Sequence, residues 1–188
     1  MRQLKHGTIE LILGNIVDQD TDAIVNAANT KLTGGGGVDG AIHRAAGPQL
    51  KEFCLQLPAD EQGRRCQTGH VQTTPAGNLK AKYVIHAVGP FYNERYSDKA
   101  HTQLRQVHTL ALQAAIAHHC TSIAFPAIST GAYRFPVAAA AKTAIDCVCT
   151  FLSTTPGLSF VRFVLYKQPQ YDIFSSTLEE WRMDDLDP

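Results

Sequence analysis

The residues best suited to chemistry in this chain are two carboxamides, a run of glycines and a carboxylate, all within Asp22 to Gly47, DAIVNAANTKLTGGGGVDGAIHRAAG. Asn26 and Asn29 each carry donors and an acceptor. Gly34 to Gly37 have no side chains to keep a ligand away, so the amides of Gly36, Gly37 and Val38 can come within hydrogen-bonding reach of one. Asp39 follows at the start of an amphipathic helical pattern, Val38-Asp39-Gly40-Ala41-Ile42-His43. A helix N-terminus favours an anion, which suits both a bound phosphate and an ionised carboxylate. Asp39 therefore has two readings: a helix cap, or a group that positions water and accepts its proton. The glycine run also has two, a surface linker or a phosphate cradle. The asparagines before it and the aspartate after it favour the cradle. It lacks the Gly-Lys-Ser/Thr ending of a P-loop and the spaced glycines of GxGxxG.

A second segment follows the same logic. Ser129-Thr130-Gly131-Ala132-Tyr133 lies between a short apolar run, Ser122 to Phe125, and a helical stretch that begins after Pro136. Small residues and two hydroxyls there could hold a diphosphate from the side opposite the glycines. Alone, Ser-Thr-Gly is an ordinary loop; the pairing gives it meaning. Near the N-terminus, Gly14-Asn15-Ile16-Val17 leaves a strand, a place where α/β proteins bind ligands, though it also reads as a plain asparagine turn. His43, one helical turn past Asp39, and His86, within a strand, are read as structural histidines.

These groups need a scaffold, and the pattern supplies one. Strands are expected at Thr8 to Leu13, Asp22 to Val25, His70 to Thr74, Tyr83 to Val88, Ser122 to Phe125 and Leu158 to Tyr166. Helical spacing runs from Val38, with an interruption at Gly47-Pro48, then from about Asp98 to His118, Val137 to Leu152 and Tyr171 to Trp181. Strands alternating with helices imply an α/β fold: a three-layer α/β/α sandwich with a mixed, mainly parallel sheet of about six strands. No repeat or linker divides the chain, so one domain over residues 1–188 is expected.

Composition excludes several function classes. Lys+Arg and Asp+Glu are equal at 17 each, which argues against non-specific binding to nucleic acid or anionic membrane. The five cysteines lack CxxC spacing, so thiols in a reducing cytoplasm are expected rather than disulfides or a zinc site. The N-terminus, MRQLKHGTIELIL, has no secretory h-region, and no later segment is expected to approach a membrane span.

NAANTKLTGGGGVDGAIHRAAG resembles the signature of the macrodomain family, in particular its ADP-ribose-hydrolysing branch and the bacterial O-acetyl-ADP-ribose deacetylases. GNIV, CQTGHVQTTPAGNLKAKYVIHAVGP and SIAFPAISTGAYRFP fall in the family's order, so the likeness covers nearly the whole chain. The resemblance implies Asp39 and Asn29 as the catalytic pair, Asn29 fixing the distal ribose hydroxyls and Asp39 positioning water with help from a substrate phosphate. It implies adenine recognition by Asn15 and Ile16, with Tyr166 stacking on the base, and places Tyr133 and Phe135 near the distal ribose. One of these two rings could instead fill the core. Asn26 joins the substrate-contacting set, with stabilisation of the loop as its alternative. Two positions depart from the family pattern. Asn15 stands where an aspartate is usual, and Arg134 where a glycine is usual, adding charge at the rim or stiffening the loop. The implied substrate is O-acetyl-ADP-ribose or mono-ADP-ribose esterified to acidic side chains of proteins, with no cofactor and no metal. The rivals are a non-catalytic ADP-ribose reader and a regulatory module, since some relatives modulate a double-strand-specific ribonuclease.

Overall fold

The computed structural model describes residues 1–182; the end of the expected domain, residues 183–188, lies outside the described residues. The strands are β1 (Arg2–Gln3), β2 (Thr8–Leu13), β3 (Ala23–Ala27), β4 (Val71–Pro75), β5 (Tyr83–Ala87), β6 (Ser122–Phe125) and β7 (Phe160–Leu165). The helices are α1 (Gly37–Ala46), α2 (Pro48–Gln56), α3 (Ser97–Ala117), α4 (Val137–Thr154) and α5 (Gln168–Glu180). One seven-stranded sheet runs in the order β1-β2-β7-β6-β3-β5-β4. The four inner pairings are parallel, while β1 on β2 and β4 on β5 are antiparallel. The antiparallel edge at β4 follows from its short connection to β5 through Ala76 to Lys82, too short for a parallel crossover.

Side-chain alternation divides the core between the two faces. On β3, Ala23 and Val25 join the cluster under α3, α4 and α5, while Ile24 points to the opposite face with Ile42, Ala46 and Leu50 of α1 and α2. On β5 the same division separates Ile85 and Ala87 from Val84, and on β7 it separates Phe163 and Leu165 from Val164. The result is the expected three-layer α/β/α sandwich around a mixed, mainly parallel sheet. The strand missing from the sequence expectation is β1. Its two residues carry no alternation, and Arg2 anchors it by donating to the Leu178 and Trp181 carbonyls while its guanidinium lies 4.9 Å from the Trp181 ring.

The membrane expectation needs a correction. α4 is 18 residues long with mean hydropathy 1.3, long and apolar enough to cross a membrane. Its apolar face is used inside the fold, where Ala141, Ile145, Val148 and Leu152 have no exposure. All five cysteines are buried free thiols. Burial pushes Cys66 and Cys149 up to about 12.

Candidate active site

β3 sits near the middle of the sheet, and the chain leaves its C-terminal end through Ala28 and Asn29 into the glycine loop. A small cluster of Ala28, Leu32, Cys54, Cys66 and Val88 supports that loop from below. Asn29 is fixed on both sides: its Nδ2 donates to the Gly34 carbonyl at 3.0 Å and its Oδ1 accepts from the Lys31 amide at 3.0 Å. Gly36 is the N-cap of α1 and makes no side-chain cap bond. The first-turn amides of α1 therefore keep their donors for something outside the helix. Gly37 has φ +57°, a left-handed conformation that disfavours other residues. A Cβ on Gly40 would collide with the Gly35 carbonyl, so the loop lies directly on the first turn of α1.

Asp39 does not cap its own helix. It is 5% exposed and turns back toward β3. Its Oδ1 accepts from Asn26 Nδ2 at 2.7 Å, and its Oδ2 lies 3.4 Å from Asn29 Nδ2. His43 Nε2 is 3.5 Å from Oδ1. Burial raises the Asp39 carboxyl above the usual carboxylate range, opposed by the Asn26 hydrogen bond and by His43. The helix N-terminus alone suggested a carboxylate held simply ionised; burial changes that balance in favour of proton acceptance.

The second loop leaves β6 at Phe125. Ser129 adopts φ +66°, and its buried Oγ, packed against Gly89, has no hydrogen-bond partner. Thr130 Oγ1 donates to the Ala127 carbonyl at 2.9 Å and accepts from Gln170 Nε2 at 3.0 Å, tying the loop to α5. The Tyr133 ring stacks on exposed Phe91, with centroids 3.7 Å apart and planes 26° from parallel. Its hydroxyl is pushed up, by burial first and then by the Asp39 charge.

Between the two loops lies a cleft of about 780 Å³. Asn29, Gly36, Gly37, Val38 and Asp39 form one wall, and Ser129, Thr130, Gly131, Ala132 and Tyr133 face them. Asn15, Ile16 and Tyr166 close the far end, where Tyr166 is 73% exposed with its ring free for a flat partner. Two residues chosen from the sequence are not on the wall. Phe135 is 2% exposed and packs among Tyr92 and His101, so it is a core ring and not a ribose contact. Asn26 is fully buried beneath the wall, where its amide serves Asp39 and cannot touch a ligand in the cleft. Arg134 also lies off the wall. It is exposed at φ +57°, which explains why a glycine suits that position.

The structure adds Gly89, Arg44, Lys167 and Gln170 to the wall. Gly89 lies in the AVGP stretch that ends β5 and leaves it. Arg44, Lys167 and Gln170 carry no local signal, because their place in the cleft depends on how α1 and α5 dock. Arg44 and Lys167 put two cations on the cleft of a chain whose net charge is zero. Among the described residues, no group of three His, Cys, Asp or Glu side chains is placed to hold a metal ion.

The macro domain family model matches residues 25–144, from within β3 into α4. The chain belongs to the macrodomain family. A macro domain-containing protein of Caldanaerobacter subterraneus is 49% identical to this macrodomain over 92% of the chain and 96% of its own length. An O-acetyl-ADP-ribose deacetylase of an Enterobacter species is 47% identical over 90% of the chain and 93% of its own. Among solved structures, the macrodomain of Oceanobacillus iheyensis with ADP superposes with a TM-score of 0.89 at 37% identity, covering 95% of this chain and 93% of that one. A Trypanosoma brucei macrodomain in complex with ADP-ribose gives a TM-score of 0.78 at 36% identity, covering 89% and 68%.

Proposed function

We propose that this macrodomain hydrolyses esters on the distal ribose of ADP-ribose. It deacetylates O-acetyl-ADP-ribose to ADP-ribose and acetate, and releases mono-ADP-ribose from acidic side chains of proteins. One observation carries the reading: a buried carboxylate, Asp39, stands beside Asn29 in a cleft whose other charged side chains are two cations, Arg44 and Lys167. A simple reader of ADP-ribose has no use for a costly buried carboxylate at that place. The names of the relatives and the ligands in the similar structures support the same substrate class.

The two loops hold the diphosphate through amides of Gly36, Gly37, Val38 and the Ser129 to Ala132 segment, with Arg44 and Lys167 balancing its charge. Asn15, Ile16 and Tyr166 take the adenine end. Asn29 orients the ribose hydroxyls. Asp39 accepts a proton from water as the water oxygen bonds to the ester carbonyl carbon. The carbon–oxygen bond to the ribose then breaks, and the ribose oxygen takes up the proton. Burial suits Asp39 to the task, since a raised carboxyl is a better proton acceptor near neutral pH.

The test is release of ADP-ribose from O-acetyl-ADP-ribose and from a glutamate-modified protein, for wild type and Asp39→Ala, with ADP-ribose binding measured by calorimetry. The expected result is turnover by wild type and a loss of about 10²-fold or more in the variant, with ADP-ribose binding retained. Tight binding without wild-type turnover would make the protein a reader.

A further inference from the structure

Behind Asp39, away from the cleft, a line of buried polar groups crosses three strands' worth of structure. Asn26 Nδ2 gives one proton to Asp39 Oδ1 at 2.7 Å and lies 3.1 Å from His86 Nδ1. His86 Nε2 is 2.9 Å from Thr74 Oγ1 and 3.5 Å from Cys54 Sγ. Asn26 and His86 have no exposure, and Thr74 is 3% exposed. Parallel pairing of β3 with β5 sets Asn26 opposite His86, on the same face of the sheet as Ile24 and Val84.

The hydrogen bonds can be assigned from what each atom can do. A carboxamide nitrogen only donates, so both Asn26 protons are used, one on Asp39 and one on His86. His86 Nδ1 must then be bare, which puts the ring proton on Nε2, directed at Thr74 Oγ1. The neutral ring agrees with its complete burial, which lowers its pKa to about 3. The cost of this arrangement is visible in Asn26 Oδ1, which is buried without a partner. If the carboxamide turned over, that oxygen would face the Asp39 carboxylate, acceptor against acceptor. A bare His86 Nδ1 holds the amide against that turn.

We infer that His86 is a positioning residue, with Thr74 behind it, that fixes the Asn26 carboxamide so that it donates to Asp39 and orients the carboxylate toward the cleft. None of the three touches the cleft wall, so they act on Asp39 and not on bound ligand. The role rests on the proposed hydrolase activity, in which Asp39 accepts the proton. Without the oriented donor, Asp39 loses its stronger hydrogen bond and the rotamer that aims Oδ2 past Asn29.

His86→Leu removes the acceptor for Asn26 at similar volume, whereas His86→Asn keeps an oxygen near the Nδ1 position. The expected result for His86→Leu is a fall in kcat of about tenfold, with KM and the Kd for ADP-ribose within about twofold. His86→Asn should recover most of the loss. Thr74→Val, which removes one hydroxyl and leaves Nε2–H without an oxygen acceptor, should lower kcat about threefold, and Thr74→Ser should restore it. If His86→Leu does not fold, the Thr74 pair decides. Wild-type kcat in a folded His86→Leu or Thr74→Val protein overturns the inference, as does a loss carried by KM or Kd instead of kcat.

Absence of wild-type turnover would sink the hydrolase reading, and the relay is then decided by carbon NMR of the Asp39 carboxyl. His86→Leu, or Thr74→Val if that variant is unfolded, should move its titration upward. The conservative partner should return it. The other ionisable groups that feel Asp39, namely His43, Tyr133 and Cys54, are unchanged in these variants. An unmoved Asp39 titration overturns the inference.

Discussion

Several side chains in this macrodomain are explained by what one atom can and cannot do at once. Asn15 Oδ1 accepts from the Val17 amide at 3.3 Å, capping the short 3-10 turn Ile16–Asp18. An aspartate there would keep a second acceptor oxygen for the cleft; the carboxamide offers a donor in its place. Arg134 shows the same economy in the backbone. At φ +57° a side chain costs about 1 kcal/mol relative to glycine, and the exposed Arg134 is in neither the cleft nor the core. Arg134→Gly is therefore expected to stabilise the protein by no more than about 0.5 kcal/mol in urea unfolding, because the greater entropy of unfolded glycine offsets about half or more of the gain. ADP-ribose affinity should change little. A destabilised variant would show that the guanidinium has a partner the fold does not reveal. Much of the cleft's lining was legible at this scale: Asn29 and both loops stand in the sequence as polar or small residues at strand exits, and Asp39 stands at a helix start. Phe135 was not, because an aromatic beside a ligand loop has the same local pattern whether it faces cavity or core.

Elements were legible wherever one pattern governed them. β2 and β6 fall on their expected residues, and α3 differs from its expected range by a single residue at each end. α5 begins earlier than its apolar spacing suggested, because Pro169 sits in the first turn, where its missing N–H costs nothing. Strand order and the docking of α1 and α5 were invisible, since they depend on contacts between distant segments. One such contact is a single carboxylate. Asp22 Oδ2, just before β3, accepts from the Thr121 and Ser122 amides at 2.8 and 3.3 Å and from both hydroxyls, and Oδ1 pairs with Lys82 at 2.7 Å. It joins the starts of β3, β5 and β6. The Lys82 contact and the Thr121 amide hold its carboxyl well below the usual carboxylate range. Asp22→Ala should cost on the order of 2 kcal/mol by urea unfolding at pH 7, since the Thr121 and Ser122 donors lose a charged acceptor. A depressed carboxyl stabilises the fold above its unfolded pKa and loses that contribution as pH falls, so the difference between wild type and variant should shrink toward pH 3. A pH-independent difference would mean that the geometry, not the charge, holds these strands.

For the molecule as a whole, acid is expected to act through two histidines that cannot charge in place. His108 lies on α3 against Phe125 and Phe163; its Nδ1 donates to the Leu104 carbonyl at 2.8 Å, and its Nε2 is buried without a partner. Burial lowers it to about 4, and lowers His86 to about 3. In the unfolded chain both take up a proton near pH 6.5. Between that value and their folded values the unfolded state binds more protons, so stability falls as pH falls. The two together should remove on the order of 4 kcal/mol between pH 7.5 and pH 5. Asp39 acts in the opposite sense, because a raised carboxyl is relieved of its burial penalty as it protonates. His108→Leu separates the contributions, since it leaves both Asp39 and the His86 relay in place. Urea unfolding of this variant should lose only about half as much stability over the same pH interval, on the order of 2 kcal/mol less than wild type. Equal losses in the two proteins would show that His108 finds a proton acceptor, or water, on charging. The acid sensitivity of the fold would then lie with His86, the histidine that stands directly behind the site.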